Sequence, residues 1–177
     1  MTGRSGPRRA GAVSFRAETP ADDALIRRAH VAHRAALFAG FGWPADALAR
    51  LCDQQHDLQE THIAAHHPGA DRRMIVAGGQ VVGRLCLDAT AAPWRIVDVA
   101  LLPEAQGRGI GTAALRLVLV EAAAAGVAVE LHVAHDNPRA EALYRREGFV
   151  DAIGAAATHR RLVRPAAAAA GAGAEVS

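Results

Sequence analysis

The sequence predicts a mixed α/β fold, a sheet with helices packed on its faces. Three observations predict it. Strand-like and helical runs succeed one another in the order β-αα-βββ-α-β-α-β. Turn signals separate them, Pro68-Gly69 after the second helix and Gly78-Gly79 between two strands. Between residues 96 and 125 a strand, a glycine-rich loop and a helix follow without a break.

Each element has a local reason. A short strand is expected at Val13–Arg16. Thr19-Pro20-Ala21-Asp22 reads as a helix entry, and Leu25, Ala29, Ala32 and Ala36 carry helical spacing over 22–37. Phe41-Gly42-Trp43-Pro44 breaks that helix, and Pro44 suits the first turn of a second one reaching His66. On a helical wheel, Leu48, Leu51, Gln55 and Leu58 fall on one side of it. Asp46, Asp53, Asp57 and Glu60 fall on the other and read as a solvated stripe. Met74–Ala77 and Val81–Leu87 form a hairpin across Gly78-Gly79. Ile96–Leu102 is a further strand. Gly111–Ala125 is a helix, with Ala114, Leu117, Val118 and Glu121 at its spacing and Gly126 past its end. Val127–Val133 is a strand, Pro138–Glu147 a short helix stopped by Gly148, and Thr158–Val163 the last strand.

The 177 residues and 18.4 kDa suit one domain, expected over 13–164. Residues 1–12 and the low-complexity stretch 165–177 lack an apolar pattern and are expected to be disordered tails. A net charge of +2 gives no support for a nucleic-acid partner. No run is apolar enough for a membrane span, and the start lacks the apolar core of a secretory leader. All 20 basic residues are Arg, so lysine Schiff-base chemistry is excluded. Cys52 and Cys86 make neither a disulfide framework nor a metal site, and a cytoplasmic setting is expected.

The stretch from Val97 to Ala114 carries the chemistry. A strand ends at Leu102-Pro103, Gln106-Gly107-Arg108-Gly109-Ile110-Gly111 forms a tight loop, and a helix begins at once. Glycines permit close backbone approach, and a helix start presents unpaired N–H groups with partial positive charge. The arrangement suits a pyrophosphate, with Arg108 as an added charged contact. A plain glycine turn without ligand is the competing reading. A dinucleotide fold fits poorly: glycines 107, 109 and 111 miss the G-x-G-x-x-G spacing, and Glu130 sits mid-strand.

Asp98 to Thr112, D-V-A-L-L-P-E-A-Q-G-R-G-I-G-T, resembles the acyl-CoA-binding motif of the GCN5-related N-acetyltransferases (GNAT), with Gln106, Gly109 and Gly111 at its signature positions. Asn137-Pro138-Arg139-Ala140 followed by Leu143-Tyr144-Arg145-Arg146-Glu147-Gly148-Phe149 is similar to the family's second motif. The resemblance covers about residues 14–163. It implies the acyl-CoA N-acyltransferase fold: a mostly antiparallel central sheet with one splayed parallel strand pair, helices on both faces. It also implies acetyl-CoA as acyl donor, held by backbone at Leu101 and Leu102, by Gln106, Gly107, Arg108, Gly109, Ile110, Gly111 and Thr112, and by Asn137. Asn137 also suits a helix N-cap. The acetyl group would pass to a primary amine of a small molecule or peptide by direct attack. Tyr144 matches the tyrosine that protonates the departing thiolate, and Asp98 is the acid best placed by motif to collect the amine proton.

Other assignments stay open. Glu130 and His132 alternate on one strand, face the same side, and are further candidates for that proton. The tetrahedral oxyanion calls for a strand N–H near Leu101. Cys86 reads as a buried small hydrophobe. His62 and His66 stand at i,i+4, but no metal-ligand pattern accompanies them and no metal is expected. Arg145 and Arg146 are placed to brush the CoA phosphates. A non-catalytic acyl-CoA-binding module is the alternative function. The acceptor, the strictness for acetyl and the assembly state, a homodimer included, have no sequence signal.

Overall fold

A computed structural model describes residues 12–38, 42–154 and 157–166. Both predicted tails lie outside these residues, apart from Ala12 at one edge and Pro165 and Ala166 at the other. The elements are β1 (Val13–Ala17), α1 (Asp23–Phe38), α2 (Ala45–His66), β2 (Asp71–Ala77), β3 (Gln80–Asp88), β4 (Trp94–Leu101), α3 (Ile110–Ala124), β5 (Val129–Ala134), α4 (Pro138–Arg146), β6 (Val150–Asp151) and β7 (His159–Arg164). One seven-stranded sheet runs β1-β2-β3-β4-β5-β7-β6. Every neighbouring pair is antiparallel except β4 with β5. A parallel pair needs a crossover, and α3 provides it.

The entry to α1 is a short 3-10 turn, Pro20–Asp22. The Asp22 carboxylate there takes the Thr19 N–H at 2.9 Å and pairs with Arg16. The predicted hairpin is present, with strands longer by one to three residues at its ends because ladder bonds continue past the apolar runs. The two-residue strand β6 has no counterpart in the sequence reading; it is too short and too exposed to leave a periodic signal.

Cross-strand partners share a face of the sheet. Arg72, Cys86 and Asp98 are successive partners on one face, and Arg73, Leu85 and Val99 on the other. The first face meets α1 and α2: Glu60 of α2 pairs with Arg72 and Arg84, and His30 of α1 lies 3.2 Å from Asp98. The second meets α3, where Glu121 takes Arg73 at 2.7 Å. The apolar core joins Ile75, Leu85, Leu87 and Ile96 to Ala114, Leu115, Val118 and Ala122 of α3. Fully burying each large side chain there contributes about 1.5–3 kcal/mol.

The wheel reading of α2 is corrected. Its buried line is Cys52, His56 and Ile63, while Leu58 is 63% exposed. The acidic stripe is not simply solvated, either. Asp53 and Asp57 bind Arg27 of α1, and Glu60 reaches Arg84, which is 1% exposed. The apolar count misses this because α2 packs on a charged interior rather than an oily one.

Candidate active site

The gap between β4 and β5 sets the site. Trp94, Arg95 and Ile96 pair with Val129, Glu130 and Leu131, and no pair follows. β4 continues to Leu101 and β5 to Ala134, so the strands part beyond that point. At the parting, β4 carries a bulge. Leu87 faces Ile96 and Cys86 faces Asp98, leaving Val97 over. Further on, Leu102 N–H goes to Val82 O at 2.9 Å. Alternation along the ladder then turns the N–H and C=O of Val99 and Leu101 toward the gap. The Leu101 N–H therefore points into the gap, while its carbonyl accepts from the Gln106 side chain. Leu102 does not meet the expectation of free backbone there: its N–H goes to Val82 and its carbonyl accepts the Ala105 N–H.

At the open end of β4 lies the glycine loop. Pro103–Ala105 makes a 3-10 turn, and Gln106 Nε2 donates to Leu101 O at 3.0 Å. Gly107 (φ 73°) and Gly109 (φ 79°) hold left-handed conformations that favour glycine. Gly109 caps α3 and has no side chain to satisfy the first-turn amides. The first amide with a carbonyl partner is Ala113, on Gly109 O at 3.0 Å. Among the described residues, no protein group accepts the N–H of Gly107, Arg108, Gly109, Ile110, Gly111 or Thr112. The loop and the start of α3 thus carry a run of six amides without a protein acceptor, which fits a diphosphate.

From the other side of the loop comes α4. Asn137 Oδ1 accepts the Ala140 N–H at 3.1 Å, so the N-cap reading holds. Arg139, which the sequence reading passed over, brings Nη2 to within 3.3 Å of the point where a Gly107 side chain would start. Arg145 is tied to Asp151 and Glu141, which places it in an ion-pair network rather than on a phosphate. No sequence signal separates these arginines; position on α4 does. The Tyr144 ring packs edge-on against Phe149 at 5.7 Å. Burial, aided by the charge of Asp98, pushes its phenol up to about 12.

The proton-collecting candidates separate clearly. Asp98 has an 11% exposed side chain held by Arg84 at 3.0 Å, Gln59 at 2.9 Å and His30 at 3.2 Å. Burial alone would raise its pKa, but His30 and Arg84 outweigh it and hold the carboxyl at about 2. Such a carboxylate is a weak base. Glu130 is 2% exposed, bound by Arg95 and Arg161, and lowered in spite of its burial. His132 is exposed on β5, just past the last β4 pair and on the same face as Asp98. Partial loss of water around its ring and the nearby Arg95 depress its pKa below 6.5. Cys86 is fully buried, and burial pushes its thiol up to about 11, so it is no nucleophile at neutral pH. His62 and His66 stack with ring centroids 4.1 Å apart, and the described residues hold no group of three metal-ligating side chains.

A split parallel strand pair, a glycine loop with unaccepted amides and a half-buried tyrosine on α4 suit an acyl-CoA-dependent transferase. The acetyltransferase (GNAT) family model matches residues 30–149, and the chain belongs to that family. Its activity is acetyl-CoA-dependent N-acetyl transfer, with acetyl-CoA as donor. A PaiA N-acetyltransferase from Thermoplasma acidophilum, solved in complex with coenzyme A, is similar at a TM-score of 0.64 and 16% identity, covering 87% of this chain and 99% of that one. A spermidine N-acetyltransferase from Vibrio cholerae, solved with CoA and spermine, has a TM-score of 0.60 and 19% identity over 86% and 95%. The ribosomal-protein-S18-alanine N-acetyltransferase of Escherichia coli has a TM-score of 0.58 and 17% identity over 94% and 99%. At these identities the likeness is one of fold. No curated protein matches the chain.

Proposed function

We propose that the chain moves an acetyl group from acetyl-CoA to a primary amine by direct attack of the neutral amine on the thioester. The observation that carries this reading is the set of six unaccepted amides at residues 107–112 beside the opened strands. The amides hold the diphosphate, with Arg108 and Arg139 as charged contacts. The pantetheine arm enters the gap and pairs with the backbone of Val99 and the N–H of Leu101. The Leu101 N–H faces the carbonyl oxygen that becomes the oxyanion.

Alkyl ammonium groups have pKa values near ~10, so a proton must leave before attack. His132, neutral near pH 7 and open to water, takes that proton through a solvent molecule. Asp98 acts through others: it fixes Arg84, Gln59 and His30 behind the reacting centre. Tyr144 stays protonated at neutral pH and gives its proton to the departing CoA thiolate. With Cys86 inert, no acyl-enzyme is needed. Both cysteines are buried thiols and neither is in a disulfide, which fits a reducing, cytoplasmic setting.

The test has two steps. Calorimetry with acetyl-CoA must give saturable binding, and thiol release over a panel of primary amines must exceed the amine-free rate. Absence of heat with acetyl-CoA removes the reading at its first step.

A further inference from the structure

A cavity of about 630 Å³ lies on the α1–α2 face of the sheet, away from the thioester gap. Its walls include Glu18 after β1, Asp23 of α1, His56, Asp57 and Glu60 of α2, and Arg72 of β2. Arg72 and Asp98 are both cross-strand partners of Cys86, so this wall lies two strands, about 10 Å, from the reacting centre. The size suits a small organic molecule.

Its chemistry is one-sided. The cations around it are already committed to carboxylates. Arg27 holds Asp53 and Asp57, Arg72 holds Glu60 at 2.7 Å, and Arg84 holds Glu60 and Asp98. Among the side chains that line it, what is left over is acceptors; Arg84 Nε, a buried donor without a partner, does not line the cavity. The Glu18 carboxylate takes no hydrogen bond from the described residues; its nearest guanidinium contacts are 3.8 Å (Arg72) and 3.9 Å (Arg84). Glu18 Oε2 is a buried oxygen without a partner. His56 is 3% exposed, lines the cavity, and has Nδ1 buried and unpartnered. Burial, and then the neighbouring His30 at 5.0 Å between ring centroids, keep His56 neutral at pH 7, so its ring offers a lone pair. A buried polar group without a partner points to a missing one. An anion would have to displace carboxylates from three arginines. An ammonium group brings three donors and no acceptor, and needs none displaced.

We propose that this cavity binds an organic ammonium group through Glu18 and His56, at a place distinct from the thioester gap. The group is either the far end of an elongated amine acceptor or a separate small amine. The chemistry is the same in both cases.

The test uses the full chain, labelled with ¹⁵N-histidine, without acetyl-CoA, so that it is independent of turnover. n-Butylammonium chloride is titrated against sodium chloride of equal ionic strength, and the His56 side-chain nitrogens are followed. A saturable shift with butylammonium alone is expected. Glu18→Gln weakens it at least tenfold. Thr61→Arg, at the exposed rim, abolishes it by placing a competing guanidinium there, and serves as the second variant should Glu18→Gln melt. A signal that never saturates, or saturates equally in a variant that keeps its fold, overturns the proposal. Turnover then separates the sources. If the site holds the acceptor's far end, Glu18→Gln raises KM for butane-1,4-diamine without changing kcat and leaves butylamine alone. If it holds a separate amine, neither KM moves. A chain that binds butylammonium here but turns over no amine retains this site and loses only the catalytic reading.

Discussion

Replacing Asp98 by Asn separates an anchor from a base. In the fold its carboxyl titrates at about 2 against an ordinary value of 3.8, a difference of nearly two units. One unit corresponds to ~1.4 kcal/mol, so the ionised form is favoured in the folded state by about 2 kcal/mol. The folded-state pKa is the lower one. The stabilisation is therefore fully present above the unfolded value and disappears as pH falls from about 4 toward 2. Asp98→Asn should lose about 2 kcal/mol or more at pH 7, since His30 and the buried Arg84 lose a carboxylate, although Arg84 keeps Glu60 at 2.6 Å. Urea denaturation at pH 7 and at pH 3 measures this, with a smaller gap between variant and parent at pH 3. The acid limb of kcat/KM should stay where it is, since the base proposed above is His132. Unchanged urea stability together with a kcat loss of roughly 10²–10⁴ would make Asp98 the base and refute the anchoring argument.

Four further outcomes are expected. Gly109→Ala has no protein atom within 4 Å of its new methyl, so the variant folds, loses about 1 kcal/mol from the left-handed backbone, and binds acetyl-CoA roughly tenfold more weakly by calorimetry. Tyr144→Phe keeps the edge contact with Phe149; kcat should fall roughly 10²-fold while acetyl-CoA affinity is unchanged. His132→Gln should remove the acid limb of the kcat/KM profile, which in the parent falls as pH drops through a value below 6.5. Arg139→Ala should raise the acetyl-CoA Kd about tenfold, with the difference shrinking in high salt and the melting temperature unmoved.

What was legible in the chain was local. The Gly78-Gly79 hairpin, the glycine loop and the N-cap at Asn137 depend on backbone rules that act within a few residues, and each stands where its residues predict. The parallel pairing of β4 with β5 came through the family resemblance, because periodicity says nothing about which strands lie side by side. The polar interior did not show at all. Arg84 sits in an apolar strand, and His56 and Glu60 sit on a helix whose leucines pull the wheel the other way. Their burial follows from mutual pairing across three elements, a property of no single stretch of sequence. The surroundings of Asp98 have the same cause, since its partners come from residues 30, 59 and 84.

The extra residue at Val97 has a consequence for how the chain tolerates change. Ile96 and Asp98 stand two apart yet look to opposite sides, which a regular strand forbids. Deleting Val97 would make Ile96 and Asp98 neighbours on opposite sides of a regular strand, so Asp98 would still face Cys86 and its carboxylate would keep to the charged side. Single-residue shortening at this point should thus be better tolerated than shortening elsewhere in β4, where one half-step of the backbone would exchange a charged compartment for an oily one.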